Sequence, residues 1–400
     1  MSSRRRFQER HALLGAVALA MLVSTVVFAG CGDAEVTFRT RPPVGPIASS
    51  VHVAVPVGSA ATASAASRAT AATGSVDRIT ATYTYRDALI TPLAHLYGTF
   101  LDAFVIATIV NGNSEPVKVV VESEISGFTD AATDTITISG GGTKEVRQNP
   151  RLTTAAIDSL TSQKEADLHV TISYLDAGQR RTIVDQTNRT LVTSRRDFPW
   201  TINGMSQQMD YDLLAAMVTP TDPGVEQLIR AAADFDPNGV MTSGYDSQQD
   251  STGTVSQRIA DIWQAEDATY KLTYISTTDS FASTSSQRIR LPAEVLQQSS
   301  GNCIELTLLY ASAVEALGMQ PSVVIVPGHA YVAVRADDTG DSYYFVETTM
   351  IGHDTISDAL AEGLSEWNEA QAHVAGGDTD YGWVDISEQR GRGITPIPWH

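Results

Sequence analysis

The sequence predicts an α+β protein, with an all-β sandwich followed by a mixed helix–sheet domain. Two changes of pattern carry that expectation. Between about residues 78 and 197, short apolar runs alternate with a period of two and are separated by Gly- and Asp-rich turns, the pattern of half-buried strands. From about residue 205 the apolar period lengthens to that of helices, with short strands interspersed. A hydrophobic share of 42% over 400 residues supplies cores for two or three domains.

The first thirty residues read as a signal peptide, with the basic start "MSSRRRFQER" and the apolar run "ALLGAVALAMLVSTVVFAG". "VFAGC" resembles the lipobox of bacterial lipoproteins and makes Cys31 the expected lipidated residue, with Phe28 where Leu is usual. The expected place is therefore a bacterial cell membrane, inner or outer, reached through a lipid anchor. "SRRRF" also resembles a twin-arginine signal, so either export route fits. An apolar run of about 20 residues could also span a bilayer, but one that stops at Ala-Gly-Cys fits a processing site better. Residues 31–77 then read as a flexible tether, since "RPPVGP" and "GSAATASAASRATAATGS" bury too little apolar surface to fold.

The strands of the expected sandwich, residues 78–200, follow in order. "LDAFVIATIV" is an apolar run of strand formers, and "PVKVVVES" alternates through Val117, Val119 and Val121. "DTITIS" leads into a triple-glycine turn. "DLHVTISYL" alternates through Leu168, Val170, Ile172 and Tyr174 before "DAG" turns the chain into "RRTIVDQ". Regularly spaced short strands suggest an immunoglobulin-like sandwich, which reads most simply as a spacer or partner-binding module.

The second domain is expected over 205–400. "TDPGVEQLIRAAAD" has Asp222 as N-cap, Pro223 in the first turn and Val225, Leu228, Ile229 and Ala232 on one face. "TVSQRIADIWQ" repeats the pattern through Val255, Ile259, Ile262 and Trp263. "CIELTLLYASAVEAL" predicts a helix ended by Gly318, apolar nearly all round and so buried. "SVVIV", "AYVAVR" and "SYYFVETT" predict strands. Ile356, Ala359, Leu360, Leu364 and Trp367 then mark one face of a further helix.

Once Cys31 is set aside, Cys303 is the one remaining thiol, so no disulfide forms within the mature chain. "SGNC" places it in the first turn of the buried helix, where unpaired N–H groups and the helix dipole favour a thiolate. A single buried cysteine also packs well as a small hydrophobe. His329 in "PGHAY" follows a turn and opens a strand, and imidazole is the side chain suited to move protons near neutral pH. Glu347, at the end of the "YYFVE" strand, meets the other ring nitrogen if the two strands pair as a hairpin.

"GNCIELTLLYASAVEALGMQPSVVIVPGHAYVAV" with "YYFVETT" resembles the transglutaminase-like superfamily of cysteine enzymes, over about residues 220–350. The resemblance implies a papain-like fold with Cys303, His329 and Glu347 as catalytic residues, Glu347 standing where Asp is commoner. It implies acyl transfer or hydrolysis of peptide or side-chain amide bonds through a thioester, on a peptide or protein substrate and without a required cofactor. The superfamily also contains members without known activity, so an inactive fold serving as a protein- or peptide-binding module is the alternative. Gln297, six residues before Cys303, stands where papain-like enzymes carry an oxyanion-hole glutamine, though a helix end accounts for it too.

Elsewhere, "DFDPNG" matches the start of a calcium loop at Asp234, Asp236 and Asn238. The loop's twelfth position is Tyr245 rather than Glu, and a Pro-Asn-Gly turn explains the same residues. No other spacing predicts a metal. A formal net charge of −19 argues against nucleic acid and against adsorption to anionic lipid.

Overall fold

The computed structural model describes residues 67–202, 205–245, 251–276, 286–338 and 341–398, together with the antiparallel pair Thr25–Val26 and Val36–Thr37. The chain divides into two units, residues 1–39 and 40–400. Cys31 and most of the expected signal peptide lie outside the described residues. The second unit holds every described element other than that one pair, and its architecture is mixed α+β.

Nine strands open this unit. They are β1 (Arg68–Val76), β2 (Ile79–Arg86), β3 (Ala88–Leu89), β4 (Val105–Asn111), β5 (Val117–Ile125), β6 (Ala132–Ile138), β7 (Thr143–Gln148), β8 (Lys164–Asp176) and β9 (Gln179–Val192). A short helix, α1 (Thr154–Ser159), joins β7 to β8. One sheet has the order β1-β2-β4-β7 and the other β3-β9-β8-β5-β6, with only the β3–β9 pair parallel. The alternation read from the sequence decides which side chains go inward. Ile79, Ala81 and Tyr83 of β2, Val105, Ala107 and Ile109 of β4, and Leu168, Val170 and Ile172 of β8 are all buried.

The expected tether is corrected at its C-terminal end. Residues 68–76 form an edge strand, paired with β2 through a register shift between Thr70 and Thr73. Their Ala/Thr/Gly composition gives no apolar period, but β2 offers a complete row of backbone partners. The ladder, rather than side-chain burial, draws the segment in.

The rest of the unit carries β10 (Asp197–Pro199), α2 (Gln207–Asp212), α3 (Pro223–Ala232), α4 (Ser251–Gln264), β11 (Thr273–Tyr274), β12 (Ser286–Arg288), α5 (Pro292–Gln298), β13 (Ser300–Gly301), α6 (Cys303–Ala316), β14 (Pro321–Val326), β15 (His329–Arg335), β16 (Tyr343–Val346), α7 (Ile356–Gly376), β17 (Gly382–Asp385) and α8 (Ile386–Arg392). The α3 cap is as expected: Asp222 Oδ1 accepts from Gly224 N at 2.7 Å. α6 is buried from Cys303 to Val314 and packs against α3, α5, β14 and β15.

The main sheet here has the order β16-β15-β14-β17 and is antiparallel throughout. Tyr331, Ala333, Tyr343 and Phe345 point to one face, where they meet Trp367 and Ala370 of α7 and Trp383 of β17. Phe345 and Trp367 stack with ring centroids 5.1 Å apart. Alternation leaves Ala330, Val332 and Val334 for the opposite face, on which α6 lies.

Contact of α7 with the sheet depends on Gly363. A Cβ built there would stand 2.6 Å from the Phe345 carbonyl oxygen and 2.7 Å from its carbon, both backbone atoms that cannot swing aside. Gly363→Ala gains helix propensity of about 1 kcal/mol but forces α7 off the sheet, an overpacking cost of about 1–3 kcal/mol. The expected outcome is a lower urea midpoint with an unchanged slope. A midpoint equal to or above that of the wild type would contradict this packing.

Candidate active site

Three elements bring Cys303, His329 and Glu347 together. Cys303 is the first residue of α6. Its N-cap, Asn302, accepts from Glu305 N at 3.0 Å, and Glu305 returns a bond to Asn302 N at 3.1 Å. This capping box satisfies two orphan donors and fixes the entry of the chain into the helix. Arg290 locks it from outside, its Nε 2.9 Å from Glu305 Oε1 and its terminal nitrogen 2.5 Å from Oε2. Ser299, in the left-handed conformation at φ 48°, turns the chain from α5 into this cap.

His329 opens β15 after a two-residue turn, Val326 pairing with His329. Gly328 supplies the positive φ of 76° that this turn needs. Thr307 of α6 donates to the Ala330 carbonyl at 3.0 Å and lies 3.2 Å from the Thr348 hydroxyl. One side chain thereby ties the helix to the histidine strand and to the segment after Glu347.

Glu347 follows β16, and its hairpin with β15 forms as the sequence suggested. It caps a short 3-10 turn, Thr348–Met350. Its Oε1 accepts from Thr349 N at 2.8 Å and from the Thr349 hydroxyl. Its Oε2 lies 2.6 Å from His329 Nε2. The Cys303 side chain is among the groups that raise the imidazole's pKa. With Nε2 committed to Glu347, Nδ1 is the nitrogen available to the sulfur. Cys303 is 8% exposed, and the Tyr331 ring stacks on His329 at 6.2 Å.

Sequence reasoning missed a second carboxylate, Glu366 of α7. Its Oε2 lies 3.8 Å from His329 Nε2. Nothing in the helical pattern distinguished Glu366 from its acidic neighbours Glu362 and Glu369; only the packing of α7 on the sheet selects it. His329, at the end of its strand, is thus reached from α6 and from α7.

The electrostatics follow from burial and charge. Burial pulls the His329 pKa down, but Cys303, the bond to Glu347 and the charges of Glu347 and Glu366 outweigh it and push it up to about 11. Burial pushes Glu347 up, but His329 and the two Thr349 donors more than reverse this and hold it below the usual carboxylate range. Glu366 is raised to about 8, by burial and by the charge of Glu347.

Gln297 is exposed in the last turn of α5. Asp236 Oδ1 accepts from Asn238 N at 2.8 Å, and its Oδ2 takes a 2.8 Å bond from Arg258. Asp234 pairs with Arg230 at 2.9 Å on the surface. His329, Glu347 and Glu366 have one ligand atom each within 4.8 Å of one another, a spacing that a cation could also bridge. A 2.6 Å imidazole–carboxylate bond accounts for two of the three without one.

No family model matches the chain, and no curated protein matches it. Among solved structures it is similar to a protein from Archaeoglobus fulgidus, at 8% identity and a TM-score of 0.19, over 32% of this chain and 95% of that one. It is also similar to a candidate late embryogenesis abundant (LEA) protein solved in solution, at 11% identity and a TM-score of 0.17, over 32% of this chain and 72% of that one. Likenesses this slight identify neither fold nor function. No helix among the described residues is long and apolar enough to cross a membrane.

The raised Glu366 sets a pH signature. Its pKa in the fold, about 8, lies above the ordinary 4.5, so the folded state retains a proton that the unfolded chain releases. Stability therefore falls as pH rises from about 4.5 towards 8. His329 is raised as well, so its contribution is complete below 6.5 and is lost as pH climbs towards 11. Between pH 4.5 and 6.5 only Glu366 of this pair acts. Urea midpoints of Glu366→Gln should decline less with pH across that window than those of the wild type. Parallel profiles would contradict the assignment.

Proposed function

We propose that the chain is a cysteine-dependent acyl-transfer enzyme of the transglutaminase-like superfamily, with a papain-like C-terminal domain behind an immunoglobulin-like sandwich. The observation that carries the reading is the 2.6 Å His329–Glu347 bond together with Cys303 at a helix start close enough to raise the His329 pKa. A nucleophile, a base that reaches it and an acceptor that orients the base are the requirements of covalent catalysis. The Thr349 donors and the 2.6 Å imidazole bond hold the Glu347 carboxylate in the orienting position.

In this mechanism the Cys303 sulfur attacks an amide carbon and forms a C–S bond. The carbonyl electrons move to oxygen, which faces backbone N–H donors of the first α6 turn. The C–N bond breaks as the His329 imidazolium gives its proton to the leaving amine. Water or a second amine then attacks the thioester, with neutral His329 taking its proton, and the thiolate leaves. Glu347 keeps the ring oriented and stabilises its charge. The substrate is a peptide or side-chain amide. The leader and Cys31 point to a lipid-anchored protein of the bacterial cell envelope.

One observation favours a second reading. Cys303 is buried, as a structural thiol would be. In that case the domain is a binding module that has lost turnover.

Alkylation separates the two. At pH 6 iodoacetamide should modify the native wild type at Cys303, with no labelling of Cys303→Ala. Glu347→Gln should leave the fold intact and slow alkylation about tenfold, because an amide cannot stabilise the imidazolium by charge. Glu347→Asp should fall between the two. A thiol that reacts only on unfolding would sink the enzymatic reading, and an unchanged Glu347→Gln profile would remove Glu347 from it.

A further inference from the structure

His329 Nε2 faces two carboxyl groups, and one of them is left over. Glu347 Oε2 takes the nitrogen at 2.6 Å, and the other Glu347 oxygen is filled by Thr349. Glu366 Oε2 stands 3.8 Å from the same nitrogen, too far for a hydrogen bond and near enough for its charge to count. That oxygen is buried and has no hydrogen-bond partner among the described residues. A buried carboxyl oxygen without a partner costs stability rather than adding to it.

The groups that act on Glu366 come from several elements. His329 and Tyr331 belong to β15, Glu347 follows β16, and Glu362 lies one turn back on α7. Of these only His329 carries positive charge. Cys303 of α6 acts on His329 in turn. Tyr331 is fully buried and its hydroxyl has no partner among the described residues. Burial and the charges of Glu366 and Glu347 hold the Tyr331 proton in place, so it adds no charge. The two carboxyls differ in their access to water. Glu366 keeps 28% of its side chain exposed, against 4% for Glu347. Solvent can therefore exchange a proton with Glu366 far more readily than with Glu347.

We propose that Glu366 is a positioning residue for His329, a second carboxyl that sets how firmly the ring holds its proton. Glu347 supplies a constant charge, and Glu366 supplies one that solvent can switch. While Glu366 keeps its proton, the ring feels a single neighbouring charge and more readily hands its own proton to the leaving amine. Once Glu366 gives its proton to water, a second charge stabilises the imidazolium and makes it a weaker acid. The role rests on the acyl-transfer reading for its meaning, because only there does the acidity of the ring matter. The coupling of the two groups does not depend on that reading.

Nitrogen-15 NMR of histidine-labelled protein, followed from about pH 6 to about 11, reads the coupling. The His329 ring shifts of the wild type should show a step near pH 8, where Glu366 ionises, ahead of the ring's own titration at higher pH. In Glu366→Gln the step should vanish, and the ring should lose its proton at least about one pH unit earlier. Glu366→Asp, which keeps the charge on a shorter stem, should restore a step and part of the lost range. A purely structural Glu366 would move the urea midpoint but leave the wild type without a step. A wild type without the step, or a Glu366→Gln ring that titrates as the wild type does, would overturn the role. The step should persist in Cys303→Ala. Failure of the acyl-transfer reading would appear elsewhere, as a Cys303 that iodoacetamide does not label in the native wild type.

Discussion

Helix α6 has no face that can be left in water. From Cys303 to Val314 every residue is buried, so the chain must cover it all round. That requirement places α3 and α5 against it, lays β14 and β15 along it, and makes Tyr310 send its hydroxyl to the Ile259 carbonyl of α4 at 2.6 Å. A helix enclosed in this way has one set of polar groups to satisfy besides its own side chains, the N–H groups of its first turn. Asn302 and Glu305 satisfy two of these donors, Arg290 holds the Glu305 carboxylate in place, and together they fix Cys303 in space. The position of the thiol is thus a consequence of burying the helix behind it.

The histidine and its carboxylates obey a related constraint. Charges taken out of water persist only when each is paired and hydrogen bonded. Glu347 has three donors around it, two from Thr349 and one from His329. With that environment ionised, the imidazole gains by holding its proton, and the second carboxylate, Glu366, gains by keeping one too. Three ionisable groups therefore share fewer charges than they could carry alone. Such an arrangement costs stability as pH rises, because the unfolded chain releases the proton that Glu366 keeps in the fold.

Much of this was legible in the sequence because local rules decide it. The Asp222–Pro223 start of α3, the alternation of β8 and the apolar wrap of α6 each specify an element through period and cap alone. Cys303, His329 and Glu347 were legible for the same reason: each sits at an element boundary, where turn and cap residues flag the position. What escaped depends on tertiary placement. Glu366 is one acidic residue among several on α7, and only the seating of Gly363 and Trp367 against Phe345 turns it towards His329. Strand β1 escaped because its pairing rests on backbone bonds to β2 and leaves no apolar period.

The central claim is that His329 is held as an imidazolium between Cys303 and a buried, ionised Glu347. Nitrogen-15 NMR of histidine-labelled protein reads this directly, with His329→Gln identifying the signal among the eight histidines. The account predicts that both ring nitrogens of His329 remain protonated at pH 8, well above the ordinary histidine range, and that Glu347→Gln returns the ring to titration nearer neutrality. A His329 that is a neutral tautomer at pH 8 in the wild type, titrating near 6.5 as an unpaired histidine does, would contradict it.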